Sequence, residues 1–213
     1  HVISQIITEP ERFTISYLSK NGRSGPLKLL GLDIAHDLAL LGSESPLGQA
    51  NKMSALPPKG STIFAMGNPL DLGLTIAVGT NGGILNQTDD SRILFSGSLN
   101  PGMSGGPTYN DDGEVIGINV ATARNAISFI VPSHYLNRLI ERVKKTPLAA
   151  DQDLKIEVTQ QLIQYENNYL KGILDQDWPK VQLRQVSLPG AISPTVRCWD
   201  NSQKLADKVL YKR

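Results

Sequence analysis

The 213-residue chain has a single cysteine, Cys198, so no disulfide can close within it. Cys198 lies between Arg197 and Trp199 in an apolar–polar alternation and reads as a buried structural thiol rather than a reactive one. Histidine occurs three times and aromatic residues make up 6% of the sequence. Nothing has the Cys/His spacing of a zinc site. Charge of one sign is also missing: 21 basic side chains face 20 acidic ones, a net charge of +1. That balance gives no electrostatic basis for nucleic-acid binding, and there is no like-charged tail. No apolar run is long enough to span a bilayer. The glycine-rich run Gly79-Thr80-Asn81-Gly82-Gly83 lacks the Lys-Ser/Thr of a phosphate loop and reads as a β-turn between strands.

Short β-strands fill the first two thirds of the chain. Phe13, Ile15 and Tyr17 alternate with Thr14 and Ser16, as in a half-buried strand. Asn21-Gly22 and Ser24-Gly25-Pro26 mark a turn, after which residues 27–32 and 37–41 continue the meander. Residues 43–59, rich in Ser, Pro and Gly, cross to a second set of strands at 63–66, 74–85, 93–95, 107–109, 115–120 and 127–131. Asn110-Asp111-Asp112-Gly113 reads as a hairpin turn between two of these. Many short strands with regular turns predict a barrel or sandwich. An amphipathic helix follows, with Ser133 as its N-cap, and Thr146-Pro147 ends it. From Asp151 the pattern changes: Leu154, Val158, Leu162, Tyr165, Tyr169 and Ile173 form one stripe of a long helix that packs against the preceding region or a further segment. Short strands around Val181 and Val186 and a last helix through Leu205, Val209 and Leu210 complete the reading.

The most informative string is Gly102-Met103-Ser104-Gly105-Gly106-Pro107. Gly102 allows the turn that aims the Gly102 and Ser104 amides at one point, with the Met103 amide as a third candidate. Gly105 and Gly106 remove side chains where a substrate backbone would approach. Two converging amides beside a serine hydroxyl make an oxyanion hole beside a nucleophile. A plain glycine–serine hairpin turn is the alternative.

A serine hydroxyl needs a neighbouring base, usually histidine. His134 falls in the first turn of the amphipathic helix and reads as solvated. His36 directly precedes Asp37; in an extended segment the two side chains point to opposite sides, so His36 reads as exposed. His1 remains. Asp37 leads into the apolar run Leu38-Ala39-Leu40-Leu41, where a carboxylate is dry enough to orient an imidazole and favour its charged form. The alternative for Asp37 is an ordinary strand-start or turn aspartate.

The chain order His1, Asp37, Ser104 is that of the chymotrypsin type. With His1-Val2-Ile3, Asp37-Leu38-Ala39-Leu40-Leu41, Met66-Gly67-Asn68-Pro69, the serine string and Val115-Ile116-Gly117-Ile118-Asn119, the sequence resembles trypsin-like (chymotrypsin-fold) serine proteases, most nearly the bacterial HtrA type. The likeness covers about residues 1–145. It implies a mainly β fold of two packed antiparallel β-barrels, the first incomplete, followed by an α/β C-terminal extension. It implies a protease domain over 1–146 and a helix-containing region of unknown role over 150–213. Because the sequence opens at the histidine itself, we expect an N-terminally truncated chain whose base is poorly held and whose activity is weak.

The resemblance further implies a serine endopeptidase with catalytic His1, Asp37 and Ser104, an oxyanion hole of Gly102, Met103 and Ser104, and no metal or organic cofactor. Its substrate pocket maps to Ser98, to Asn119, Val120, Ala121 and Thr122, and to residues 126–128. None is a carboxylate, so cleavage is expected after small or medium uncharged residues. Loop Leu70-Asp71-Leu72-Gly73-Leu74 is a candidate gate. The implied partners are unfolded or extended polypeptides and, as a possibility, further copies of the chain; the implied compartment is periplasmic or secreted. Two alternatives stand beside this reading: a non-catalytic protease-like scaffold, and a protease gated by its C-terminal region.

Overall fold

In the computed structural model, residues 4–85, 91–122, 127–149, 153–190, 203–205 and 208–210 are described. His1, Cys198 and Ala126 lie outside the described residues. A short helix, α1 (Ser4–Thr8), which the sequence pattern does not announce, precedes the first strands. β1 (Ser16–Leu18) and β2 (Ser24–Pro26) form a hairpin in which Ser24-Gly25-Pro26 is strand rather than turn. The reversal belongs to Asn21-Gly22: Gly22 has a φ of 79° and its amide donates to the Ser19 carbonyl at 2.9 Å.

β3 (Lys28–Asp33) and β4 (Leu38–Gly42) form a second hairpin. Asp33 pairs with Leu38 in register, so residues 34–37 are the connecting turn. Asp37 is therefore not on an extended strand. It ends the turn in a left-handed conformation, φ 56°, which is uncommon for a residue other than glycine.

A closed barrel follows: β5 (Thr62–Gly67), β6 (Thr75–Leu85), β7 (Arg92–Phe95), β8 (Pro107–Tyr109), β9 (Val115–Thr122) and β10 (Ser128–Pro132), in the spatial order β10-β7-β6-β5-β8-β9. Ile63, Ala65, Ile93, Phe95, Leu99, Met103, Ile116 and Ile130 fill it. Inward positions alternate along β5 and β7, as a period of two requires. The run Gly79-Thr80-Asn81-Gly82-Gly83 is not a turn but part of β6. Asn81 pairs with Phe95 and Ile84 with Ile93, so two residues oppose one and the strand bulges where the barrel bends. The Asn110-Asp111-Asp112-Gly113 turn forms as read, with Asn110 Oδ1 accepting from the Asp112 and Glu114 amides. Among the described residues this is the one closed barrel; the segment before it forms the two hairpins.

Helix α2 (Ser133–Lys145) lays Tyr135, Leu139 and Val143 against Leu38 and Val131, joining the β3–β4 hairpin to the barrel. Ser133 is not its N-cap. It is the first helical residue, and its hydroxyl donates to the Ser54 carbonyl at 2.7 Å, tying the crossover loop to the barrel. Helix α3 (Leu154–Leu174) is capped by Asp153, whose carboxylate accepts from the Lys155 amide at 2.8 Å. Hairpins β11 (Lys180–Leu183)–β12 (Val186–Pro189) and β13 (Gln203–Leu205)–β14 (Lys208–Leu210) end the described chain. The expected last helix is thus a hairpin: so short a segment gains too few helical bonds to offset nucleation. Among the described residues no helix is long and apolar enough to cross a membrane.

Candidate active site

Ser104 sits in the loop between β7 and β8, at the mouth of the barrel. Its chain neighbour Met103 is 1% exposed in the barrel core and anchors the loop from below. The loop lies hard against the end of β5. A Cβ on Gly102, whose φ is 96°, would meet the Asn68 carbonyl oxygen at 2.2 Å, and one on Gly106 would meet the Met66 carbonyl oxygen at 2.1 Å. The space Gly106 provides is therefore for the protein's own backbone rather than for a substrate.

Asn119, on β9, holds this packing together. It is buried; its Nδ2 donates to the carbonyls of Met66 at 2.9 Å and Met103 at 3.1 Å, and its Oδ1 accepts from the Thr108 hydroxyl at 2.6 Å. Its backbone carbonyl accepts from the Gly105 amide at 2.8 Å and its amide donates to Gly106 at 2.8 Å. The Asn119 amide is thus hydrogen-bonded within the loop packing. The Met103 amide donates to the Asn100 carbonyl at 3.0 Å, closing a turn. Among the described residues, no backbone bond of this kind uses the Gly102 or Ser104 amide as donor. Of the three amides read from the sequence, Met103 is thus the one seen in a backbone bond of this kind.

Ser104 is exposed, and its hydroxyl donates to the Val120 carbonyl at 2.9 Å. A cavity of about 600 Å³ opens there, lined by Ser104, Gly105, Asn119 and Val120 on the barrel side. Asp33, Asp37 and Leu38 line it from the β3–β4 hairpin, Leu136 from α2 and Val158 from α3. Ser4, three positions after His1, closes it from α1. The structure therefore brings Asp37 and Ser104, distant in sequence, to one cavity. Ser98 is exposed in the loop before Ser104 and does not line this cavity; Ala121 and Thr122 lie on β9, paired with Phe129 and Ser128.

The sequence reading misplaced His36. It is 9% exposed, its Nδ1 lies 2.8 Å from Asp33 Oδ1, and its ring stacks on Tyr135 with centroids 3.7 Å apart. The two neighbours do face opposite ways, but the buried one is His36 and the exposed one is Asp37. The turn conformation, which an extended reading cannot anticipate, places them so. Burial opposes ionisation of the Asp33 carboxyl, yet the hydrogen bond and charge of His36 and the charge of Arg142 outweigh it and hold its pKa below the ordinary value. His134 is exposed at the start of α2, as read; desolvation, then the charges of Arg138 and His36, lower its pKa. The Asp33-x-x-His36 spacing was the available signal for the buried pair.

The family described as "Trypsin-like peptidase domain" matches residues 1–118. The chain belongs to this trypsin-like peptidase family. Among curated relatives, the chain is 31% identical over 143 residues to the putative serine protease HhoB of Synechocystis, covering 61% of this chain and 34% of that protein. It is 31% identical over 154 residues to a probable periplasmic serine protease of Haemophilus influenzae, covering 66% and 33%. It is 29% identical over 200 residues to the mitochondrial serine protease HTRA2 of Drosophila persimilis, covering 79% and 46%. The chain thus spans about a third of the length of the first two relatives. Of solved structures, the serine endoprotease of Yersinia pestis superposes with a TM-score of 0.57 at 27% identity, over 62% of this chain and 49% of that one. The HtrA-type protease AlgW with a decapeptide gives 0.58 at 26%, over 62% and 45%. Helices α2 and α3 lie beyond the stretch matched by the trypsin-like family.

Proposed function

We propose that this trypsin-like chain carries the machinery of a serine endopeptidase, with residues 1–146 as the protease domain and 150–213 as a helix-containing C-terminal region. The observation that carries the reading is the cavity that Asp37 and Ser104 share. Ser104 Oγ attacks the scissile carbonyl carbon while His1 accepts its proton. Asp37 orients the His1 ring and stabilises its charged form. The Gly102 and Ser104 amides hold the oxyanion. The tetrahedral species collapses as His1 returns the proton to the leaving amine, and water then attacks the acyl-enzyme with His1 again as base. The resting bond from Ser104 to Val120 must break for this, which calls for a rotation of one side-chain torsion.

The substrates are extended or unfolded polypeptides. An extended segment can lie in a cavity of this size, and the pocket residues that the family resemblance implies, Ser98, Asn119, Val120, Ala121 and Thr122, include no carboxylate to select a basic side chain, so cleavage follows small or medium uncharged residues. The compartment is extracytoplasmic, by analogy with the periplasmic relatives, and assembly into homo-oligomers is part of the same analogy. The deciding experiment is fluorophosphonate labelling read by mass spectrometry, alongside casein digestion. Label on Ser104, absent in Ser104→Ala, supports the reading. A folded protein that takes no label and binds but does not cut casein is a scaffold instead.

A further inference from the structure

The end of β3 carries a contact that this mechanism leaves unused. Gln161 of α3 is half-buried; its Nε2 donates to the Leu32 carbonyl at 3.0 Å, and its Oε1 accepts from the Ile34 amide at 3.0 Å. These two bonds bracket Asp33, as the peptide group of a partner strand would, and extend the ladder to the point where the strand enters the 34–37 turn. Nε2 also donates to Glu157 Oε1 at 2.6 Å, which fixes the sense of the amide. Arg142 of α2 donates to the same Leu32 carbonyl. Two helices therefore fasten the root of the turn that ends in Asp37.

The turn needs such fastening. Asp37 holds a left-handed φ of 56°, uncommon outside glycine, and bonds at the root of the turn help to keep it there. α3 also supplies Val158 to the wall of the cavity that holds Ser104 and Asp37, and α1, which begins just after His1, packs on α3. One helix thus touches the segments flanking two of the three triad positions.

We infer that Gln161 is a positioning residue: by joining α3 to the end of β3 it sets the orientation of the Asp37 carboxylate toward His1, making the C-terminal helix part of the catalytic apparatus. The inference rests on the serine endopeptidase reading. Gln161→Met keeps the length and adds no charge but loses both bonds; Gln161→Leu keeps the bulk and loses both bonds. Both are assayed in the intact protein with a peptide substrate, and rates are normalised to Ser104 sites titrated by fluorophosphonate. The expected result is kcat per titrated site lower by roughly tenfold, with KM changed by less than about twofold, since a displaced orienting group acts on the chemical step. The acid limb of the kcat–pH profile should also move to lower pH, because an imidazole less well held by a carboxylate is a weaker base. A purely structural contact would lower the number of titratable sites and leave kcat per site and the limb unchanged; that result overturns the assignment, and Gln161→Met alone decides it if the leucine variant does not fold. Labelling of neither parent nor variants removes the protease reading, and this inference with it.

Discussion

The Ser104 hydroxyl rests on the Val120 carbonyl at 2.9 Å, on the wall of the cavity that Asp37 also lines. The bond is exposed and made to a strand that other bonds already hold, so it adds little to stability. Ser104→Ala should therefore change the unfolding free energy by less than about 1 kcal/mol. If Ser104 is the nucleophile of the proposed mechanism, the substitution should also reduce peptide hydrolysis by at least about 10⁴-fold. Chemical denaturation and a peptide assay on one preparation check both; a large loss of stability would mean that Ser104 is a structural residue.

Gly102 couples backbone geometry to chemistry. Its φ of 96° disfavours any side chain, and a Cβ would fall 2.2 Å from the Asn68 carbonyl oxygen, a backbone atom that cannot swing aside. Gly102→Ala should displace the loop and cost about 1–3 kcal/mol. On the proposed mechanism the Gly102 amide faces the oxyanion, so its displacement should lower kcat by about 10²–10³-fold. KM should change far less, because an oxyanion donor acts on the transition state rather than on the bound ground state. Steady-state kinetics, resolved into kcat and KM, separate the two effects.

What the sequence made legible follows from how local each signal is. The serine loop and the Asn110–Gly113 reversal were readable because glycine and asparagine act through their own backbone. The barrel strands were readable because burial imposes a period of two. His36 was misread because its burial depends on Tyr135, far along the chain, and on the turn that rotates Asp37 away from it. The structural duty of Asn119 was not legible, because its three side-chain bonds reach Met66, Met103 and Thr108, none of them a sequence neighbour. Gln161 gave no local signal, since the groups it meets are backbone atoms of another element. Misreadings concentrate where a polar side chain is satisfied across long sequence separations.

Asn119 makes a sharp test of the loop's internal support. Its amide is 1% exposed and uses both donor and acceptor, which an aspartate of the same shape cannot do. Asn119→Asp places a carboxylate against the Met66 and Met103 carbonyls, where only a donor fits. A loss of about 3 kcal/mol or more is expected, read as a lower denaturation midpoint with an unchanged slope. Asn119→Ala leaves two buried carbonyls without that donor and should cost about 2–3 kcal/mol.

The Asp33–His36 pair makes stability depend on pH in one direction. The folded state holds the Asp33 pKa below its ordinary value of 3.8, so the unfolded chain takes up the proton first as the solution is acidified. The contribution is complete above the unfolded value and is lost as pH falls from there through the folded value. Unfolding midpoints measured in urea from pH 6 to pH 2.5 should therefore drop most steeply below about pH 4. Asp33→Asn keeps an oxygen acceptor for His36 Nδ1 and removes the titrating carboxyl. It should lower stability at neutral pH, where the carboxylate's favourable charge is lost, and flatten this part of the acid limb. An acid limb as steep in Asp33→Asn as in the parent protein would assign the acid sensitivity to other carboxylates.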